Sequence, residues 1–190
     1  TVGHYPINLD DLYIHFISAA SHKFHGPKGV GILYVNENVN IQPFIFGGGQ
    51  ERNMRAGTEN VYGIVGFAKA LEIAMRDYEQ TSAYIDDLRH YMTDQLKKNM
   101  EGVSFNNGQN SLYTLLSVCF PKTEKSDFLL MNLDINNICT SGGSACSSGA
   151  DVSSHVMKAL NKSDQYATIR FSFSKYNTKE EVDRVVEKLK

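Results

Sequence analysis

Three residues stand where this chain could do covalent or ionic chemistry. Lys23 lies in "SAASHKFHGPKGVGILYV" (Ser18 to Val35), between His22 and the pair Phe24–His25, just ahead of a glycine-punctuated turn. Small residues precede it (Ser18, Ala19, Ala20, Ser21), so the backbone there can approach a ligand closely, and the flanking imidazoles can donate to a phosphate or pack on a ring. A lysine becomes a nucleophile toward carbonyls when burial or a second cation lowers its pKa; a surface lysine in a polar turn is the plain alternative. Cys146, in "SGGSACSSGA", has no bulky neighbour within four residues on either side. Such a thiol is either incidental to a linker or a nucleophile that needs exposure and reach. Arg170 sits on the polar side of the alternating run "TIRFSF" and needs a partner. Alternation alone does not choose between a structural carboxylate and a bound one.

A fourth stretch, "FGGGQERNMRAGTEN" (Phe46 to Asn60), combines glycines, two arginines and Thr58. A hydroxyl and backbone N–H groups in such a loop suit a phosphate, and a flexible surface connection is the alternative. Of the other cysteines, Cys119 in "LLSVCF" reads as a small core residue, and Cys139 is open to either reading. No Cys-x-x-Cys pair occurs, and five of the six histidines lie far from the cysteines in sequence, so no zinc site is expected.

The elements that must position these groups follow from periodicity. Residues 11–20 alternate and predict a short strand into the histidine–lysine stretch, and Gly29 to Val35 predicts a buried strand, since Val30, Ile32, Leu33, Tyr34 and Val35 leave little polar face. The run "NVYGIVGFAKALEIAMRDYEQ" predicts a helix buried on most sides, and Tyr84 to Lys98 a second helix burying Ile85, Leu88, Met92 and Leu96. After about Asn99 the pattern becomes a strand closed by Pro121, a helix opened by Ser126 or its neighbour, a small-residue loop, and the short helix "SHVMKAL". The strand "TIRFSF" turns Ile169, Phe171 and Phe173 one way, and a last helix opens with a capping box, Thr178 and Glu181, burying Val182, Val185, Val186 and Leu189. The order reads as an α/β half followed by a smaller α+β half.

Composition narrows the function class. With 190 residues, 42% of them hydrophobic, the chain can bury a real core, and a net charge of −2 gives no reason to expect nucleic acid or an anionic membrane as partner. No run of 18 apolar residues occurs, and "TVGHYPINLDD" lacks the basic and apolar regions of a signal peptide. Three cysteines do not make a disulfide framework, so a reducing, cytoplasmic setting is expected.

These stretches, taken in order, resemble one family. "SHKFHGPKGVGILYV" is similar to the cofactor-lysine segment of the class V aminotransferases, and in particular of the cysteine desulfurases. The resemblance implies that Lys23 carries pyridoxal 5′-phosphate and that His22 helps bind its phosphate. The family's phosphate-binding serine falls on Ala20, with Ser21 beside it as the substitute. "GGGQERNMRAGTEN" resembles the segment whose threonine reaches the cofactor phosphate of a neighbouring subunit, which places that role on Thr58 and implies a homodimer. "SGGSACSSGADVSSHVMKAL" resembles the long catalytic-cysteine loop of the desulfurases of nitrogen fixation and iron–sulfur assembly, so Cys146 is the expected persulfide carrier and His155 a structural residue. By the same resemblance Arg170 grips the α-carboxylate of the substrate. Ser174–Lys175 stands where the family more often has glycine–arginine.

The resemblance implies an α/β protein of the pyridoxal-phosphate-dependent transferase fold type I. Residues 1–78 would be the C-terminal part of a large doubly wound cofactor-binding domain, and 79–190 a small α+β domain carrying the cysteine loop. "VGHYPINLDDL" is similar to the segment that follows the family's Asp-Ala-x-Gln motif, so the aspartate that pairs with the ring nitrogen is expected upstream of Thr1. The chain is then expected to be the C-terminal half of a desulfurase, and by itself neither to fold properly nor to be active. The expected reaction converts L-cysteine to L-alanine, with sulfur passing through Cys146 to an acceptor such as an iron–sulfur scaffold. A selenocysteine lyase, an aminotransferase, or a cofactor-free sulfur-transfer module are the alternative readings.

Overall fold

The structure, a computed structural model, describes residues 1–124, 126–142, 155–162 and 165–190, and divides into two units, Thr1–Glu79 and Gln80–Lys190. In the first unit, strand β1 (Phe16–Ala20) pairs antiparallel with β2 (Gly31–Val35), Phe16 opposite Val35 and Ala20 opposite Gly31. Only the second half of the alternation at 11–20 becomes strand, and Gly29 takes a left-handed conformation (φ 80°) that keeps it out of β2. The turn between the strands carries a single 3₁₀ turn, Ser21–Phe24.

Two expectations about burial are corrected here. Strand β2 is not buried: Ile32 and Leu33 are 42% and 60% exposed. A two-stranded ribbon supplies one ladder and no covering layers, and an apolar run reports hydrophobicity without reporting what covers it. Helix α1 (Val61–Arg76) is not enclosed on most sides either; Gly63 and Phe67 are buried, while Val61, Tyr62, Ile64 and Val65 are exposed. Its contact within this unit is with the turn Ser21–Phe24, which covers one stripe of the helix. The helix is opened by Asn60, whose side chain accepts from the Gly63 N–H at 3.1 Å.

The second unit builds its core on a three-stranded antiparallel sheet, β3 (Ser104–Phe105), β4 (Leu115–Pro121) and β5 (Tyr166–Ser172), in that order. Leu116, Val118 and Phe120 alternate inward from β4, and Ile169 and Phe171 from β5. Against them pack Leu88, Met92 and Leu96 of α2 (Tyr78–Asn99), Leu133 of α3 (Leu129–Ile135), and Val182 and Val186 of α5 (Lys179–Leu189). The short strand β3 has no counterpart in the sequence pattern, since two residues carry no detectable alternation. The capping box at α5 is present on both sides: Thr178 accepts from the Glu181 N–H, and the Glu181 carboxylate accepts from the Thr178 N–H. Ser126 does not cap α3. It opens a separate 3₁₀ turn (Ser126–Phe128), and its hydroxyl accepts from the Thr123 N–H at 2.7 Å. Helix α4 (His155–Ala159) buries Met157. No helix among the described residues is long and apolar enough to cross a membrane.

Candidate functional site

In a 3₁₀ turn residues three apart share a face. Ser21 and Phe24 are accordingly buried, and His22 and Lys23 between them are both exposed. Phe24 anchors the turn on α1 by an edge-on contact with Phe67, ring centroids 5.2 Å apart. The turn is closed by the Gly26 N–H donating to the Ser21 carbonyl at 3.0 Å and joined to the ribbon by the Ser21 N–H donating to Val30 at 3.1 Å. His25 completes it in the left-handed region (φ 67°). The glycine at 26 is required, because a Cβ there would collide with the Ser21 hydroxyl. Ser21 has no exposed surface, and its hydroxyl is enclosed without a hydrogen-bond partner. Ala20, at the end of β1, contributes no polar side chain.

One residue that sequence reasoning missed bears directly on this turn. The His4 ring donates from Nε2 to the backbone carbonyl of Lys23 at 3.0 Å. A carbonyl only accepts, so Nε2 carries the proton. Burial holds the His4 pKa below the ordinary histidine value, and its bond to Lys23 opposes that shift. No local signal announces this role, since the partners lie nineteen residues apart.

Thr58 is exposed in the loop that precedes α1. The backbone leading to it is tied down by Arg55, whose Nη1 donates to the carbonyls of Ala56 (3.1 Å) and Gly57 (2.9 Å) and whose Nη2 donates to Glu51 (3.2 Å). Gln50 Oε1 accepts from the Gly57 N–H at 3.2 Å. Glu51, Arg52 and Asn53 all take positive φ (47°, 56° and 63°), a left-handed turn that costs about 1–2 kcal/mol per residue. The glycine-rich stretch is therefore a constructed loop rather than a loose connection.

In the second unit, Arg170 lies on β5 opposite Ser117 of β4. Its Nε is buried without a hydrogen-bond partner, and none of the described carboxylates forms an ion pair with it. Its backbone is bridged to Ser141. Cys146 lies outside the described residues. Cys119 is fully buried and its Sγ accepts from Asn106 Nδ2 at 3.1 Å, whereas Cys139 is exposed. His155 is exposed at the start of α4. No metal-binding group of histidine, cysteine and carboxylate residues occurs among the described residues.

In the first unit the exposed Lys23 amine and His22 imidazole lie side by side on one turn, an amine able to meet a carbonyl beside a ring able to donate to an anion. The chain matches the Aminotransferase class-V family over residues 1–185. It is 40% identical over 200 aligned positions to the cysteine desulfurase IscS of Dictyoglomus turgidum, covering all of this chain and 50% of that protein. It is 39% identical to the cysteine desulfurase NifS of Azotobacter vinelandii, covering 97% of this chain and 46% of that protein. Among solved structures it is similar to a NifS-like protein (TM-score 0.84, 38% identity, covering 100% of this chain and 49% of that one). It is also similar to a NifS-like protein from Rickettsia africae (TM-score 0.86, 30% identity, covering 99% and 50%). The fold is thus the α/β, type I fold that the motifs imply. The chain spans about half the length of the curated relatives it matches.

Proposed function

The chain belongs to the aminotransferase class-V family, and from that premise we propose that it supplies the lysine-, cysteine- and arginine-bearing half of a pyridoxal-phosphate-dependent cysteine desulfurase. The observation that carries this reading is the turn Ser21–Phe24, whose buried ends and exposed middle present His22 and Lys23 together. Lys23 is the covalent anchor for pyridoxal phosphate, and His22 and Thr58 are the phosphate donors, Thr58 toward the partner subunit of a homodimer. Ser21 is the exception in this set: with its hydroxyl enclosed against Gly26, it reaches a phosphate only by rotating out of the interior.

When bound, the cofactor supplies the electron sink that allows bonds at the substrate α-carbon to break. This chain's residues do the remainder. Arg170 takes the α-carboxylate of L-cysteine through paired N–H donors, which supplies an acceptor for its buried Nε. Lys23, with its amine free, would be the base that holds the α-proton of the substrate. The Cys146 thiolate attacks the substrate sulfur. An S–S bond forms, the C–S bond breaks with its electron pair left to the β-carbon, and a proton on the β-carbon together with the α-proton handed back by Lys23 gives L-alanine. The persulfide then passes to a thiol of an acceptor protein, such as an iron–sulfur scaffold.

The test is made on the complete protein. L-cysteine is expected to yield alanine and persulfide in equal amounts, with the label on Cys146, lost in Cys146→Ser and kept in Cys119→Ser. The visible absorbance of the lysine-bound cofactor is expected to vanish in Lys23→Ala. Label retained in Cys146→Ser and lost in Cys119→Ser would sink the assignment.

A further inference from the structure

The reach of a lysine amine is set by its backbone, and the turn that carries Lys23 is only four residues long. The His25 and Gly26 N–H groups both donate to the Ser21 carbonyl, which closes the turn on its first residue. The Lys23 carbonyl is held from elsewhere in the unit. His4 Nε2 donates to the Lys23 carbonyl at 3.0 Å. The adjoining backbone is seated on the same spot: Gly3 has φ 80°, and a Cβ built on it would lie 2.5 Å from the Phe24 side chain. The segment is itself a closed turn, with the N–H groups of His4 and Tyr5 both donating to Thr1 (2.9 and 3.0 Å). Phe24 is meanwhile 3% exposed and packed on Phe67. The 23–24 peptide is therefore clamped between a ring donor on one side and an aromatic anchor on the other.

We propose that His4 is a positioning residue for Lys23, orienting the peptide that aims the lysine side chain. This rests on the reading of Lys23 as the cofactor anchor. Rotation of the peptide following Lys23 would redirect the Cα–Cβ bond and displace the amine at the end of four methylenes. A displacement near 1 Å at a reacting group costs on the order of a hundred-fold in rate. The bond acts on the backbone, so it leaves the lysine amine free for chemistry while restricting where that amine can go. It does not contact the reacting atoms.

The experiment uses the complete protein and compares His4→Phe (a ring without a donor), His4→Gln (an amide donor) and His4→Glu (the shape of glutamine without a donor at neutral pH). Two quantities are read: the rate at which stripped protein regains the visible band on adding pyridoxal phosphate, and amide exchange at His25 and Gly26 in the cofactor-free protein. His4→Phe and His4→Glu are expected to slow band formation by roughly ten-fold and to speed exchange, with His4→Gln within about two-fold of the parent on both. Unchanged band formation in His4→Phe and His4→Glu overturns the proposal, and so does equal loss in His4→Gln and His4→Glu, the mark of packing alone. If His4→Phe does not fold, the glutamine–glutamate pair decides. The Lys23 reading fails separately, by a Lys23→Ala protein that still forms the band; exchange at His25 and Gly26 then still reports whether His4 orders the turn.

Discussion

Arg170 and Ser141 exchange two backbone hydrogen bonds: the Arg170 N–H donates to Ser141 at 2.7 Å and the Ser141 N–H to Arg170 at 3.2 Å. Ser141, five residues before Cys146 in the chain, thereby bridges the outer edge of β5 at one point. Because the bridge uses main-chain groups only, the Arg170 side chain can be changed without undoing it, and the ionic role of the guanidinium can be tested apart from the register of the strand.

Arg170→Gln is expected to raise the KM for L-cysteine by roughly ten- to a hundred-fold, the loss of a charge-assisted bond being about 1.5–3 kcal/mol. The cofactor's visible absorbance and the circular dichroism spectrum are expected to stay as in the parent. Steady-state kinetics decide; an unchanged KM would leave Arg170 without a substrate role.

Ser21→Ala tests the residue that stands beside the expected phosphate-binding serine. Its hydroxyl is enclosed without a partner, and an unsatisfied buried polar group costs about 1–3 kcal/mol. The alanine variant is expected to be as stable as the parent or more so, and to hold pyridoxal phosphate within about two-fold. A large loss of cofactor, measured by equilibrium dialysis, would show that Ser21 leaves the interior to reach the phosphate.

The ring of His4 gives a pH signature. Its folded-state pKa is held below the unfolded value by burial, against the opposing pull of the Lys23 carbonyl, with His25 adding to the lowering. The unfolded chain, titrating near about 6.5, therefore takes up the proton first as pH falls. Stability present above that pH is lost on acidification until the folded-state pKa is passed. Nuclear magnetic resonance of the His4 ring is expected to give a midpoint below that of a free histidine peptide. A midpoint at or above it would contradict the burial argument.

Leu96 is fully enclosed by the core of the second unit. Leu96→Ala is expected to cost about 2–5 kcal/mol, through lost burial and the cavity left behind. Urea unfolding of the complete protein, followed by circular dichroism, should show the midpoint of that unit fall. A change under about 1 kcal/mol would mean that the core collapses around the smaller side chain.

Much of the second unit was legible because its signals are local. The capping box at Thr178 and Glu181 lies within one turn, and the alternation of Leu116, Val118 and Phe120 needs nothing but the strand period. Cys119 was readable as a core residue for the same reason. The first unit was less legible. The apolar residues of β2 and of the start of α1 predict burial, yet Leu33, Tyr62 and Val65 face solvent. Hydrophobicity specifies a surface that favours cover, and says nothing about where the cover comes from.

The sequence by itself determined the ordered set of chemical groups: an amine beside an imidazole, a thiol among small residues, a hydroxyl after a glycine-rich loop and a guanidinium on a strand. Those are matters of residue type and spacing along one chain. Tertiary structure decided which groups are free to act. It enclosed Ser21 against Gly26 while leaving His22 and Lys23 exposed, because a 3₁₀ turn separates its faces by residue number but only packing on Phe67 chooses the inner one. It also left Arg170 Nε buried without a partner and set His4 on the Lys23 carbonyl. The contacts of Phe24 with Phe67 and of His4 with Lys23 join residues far apart in the chain, and no local periodicity encodes them.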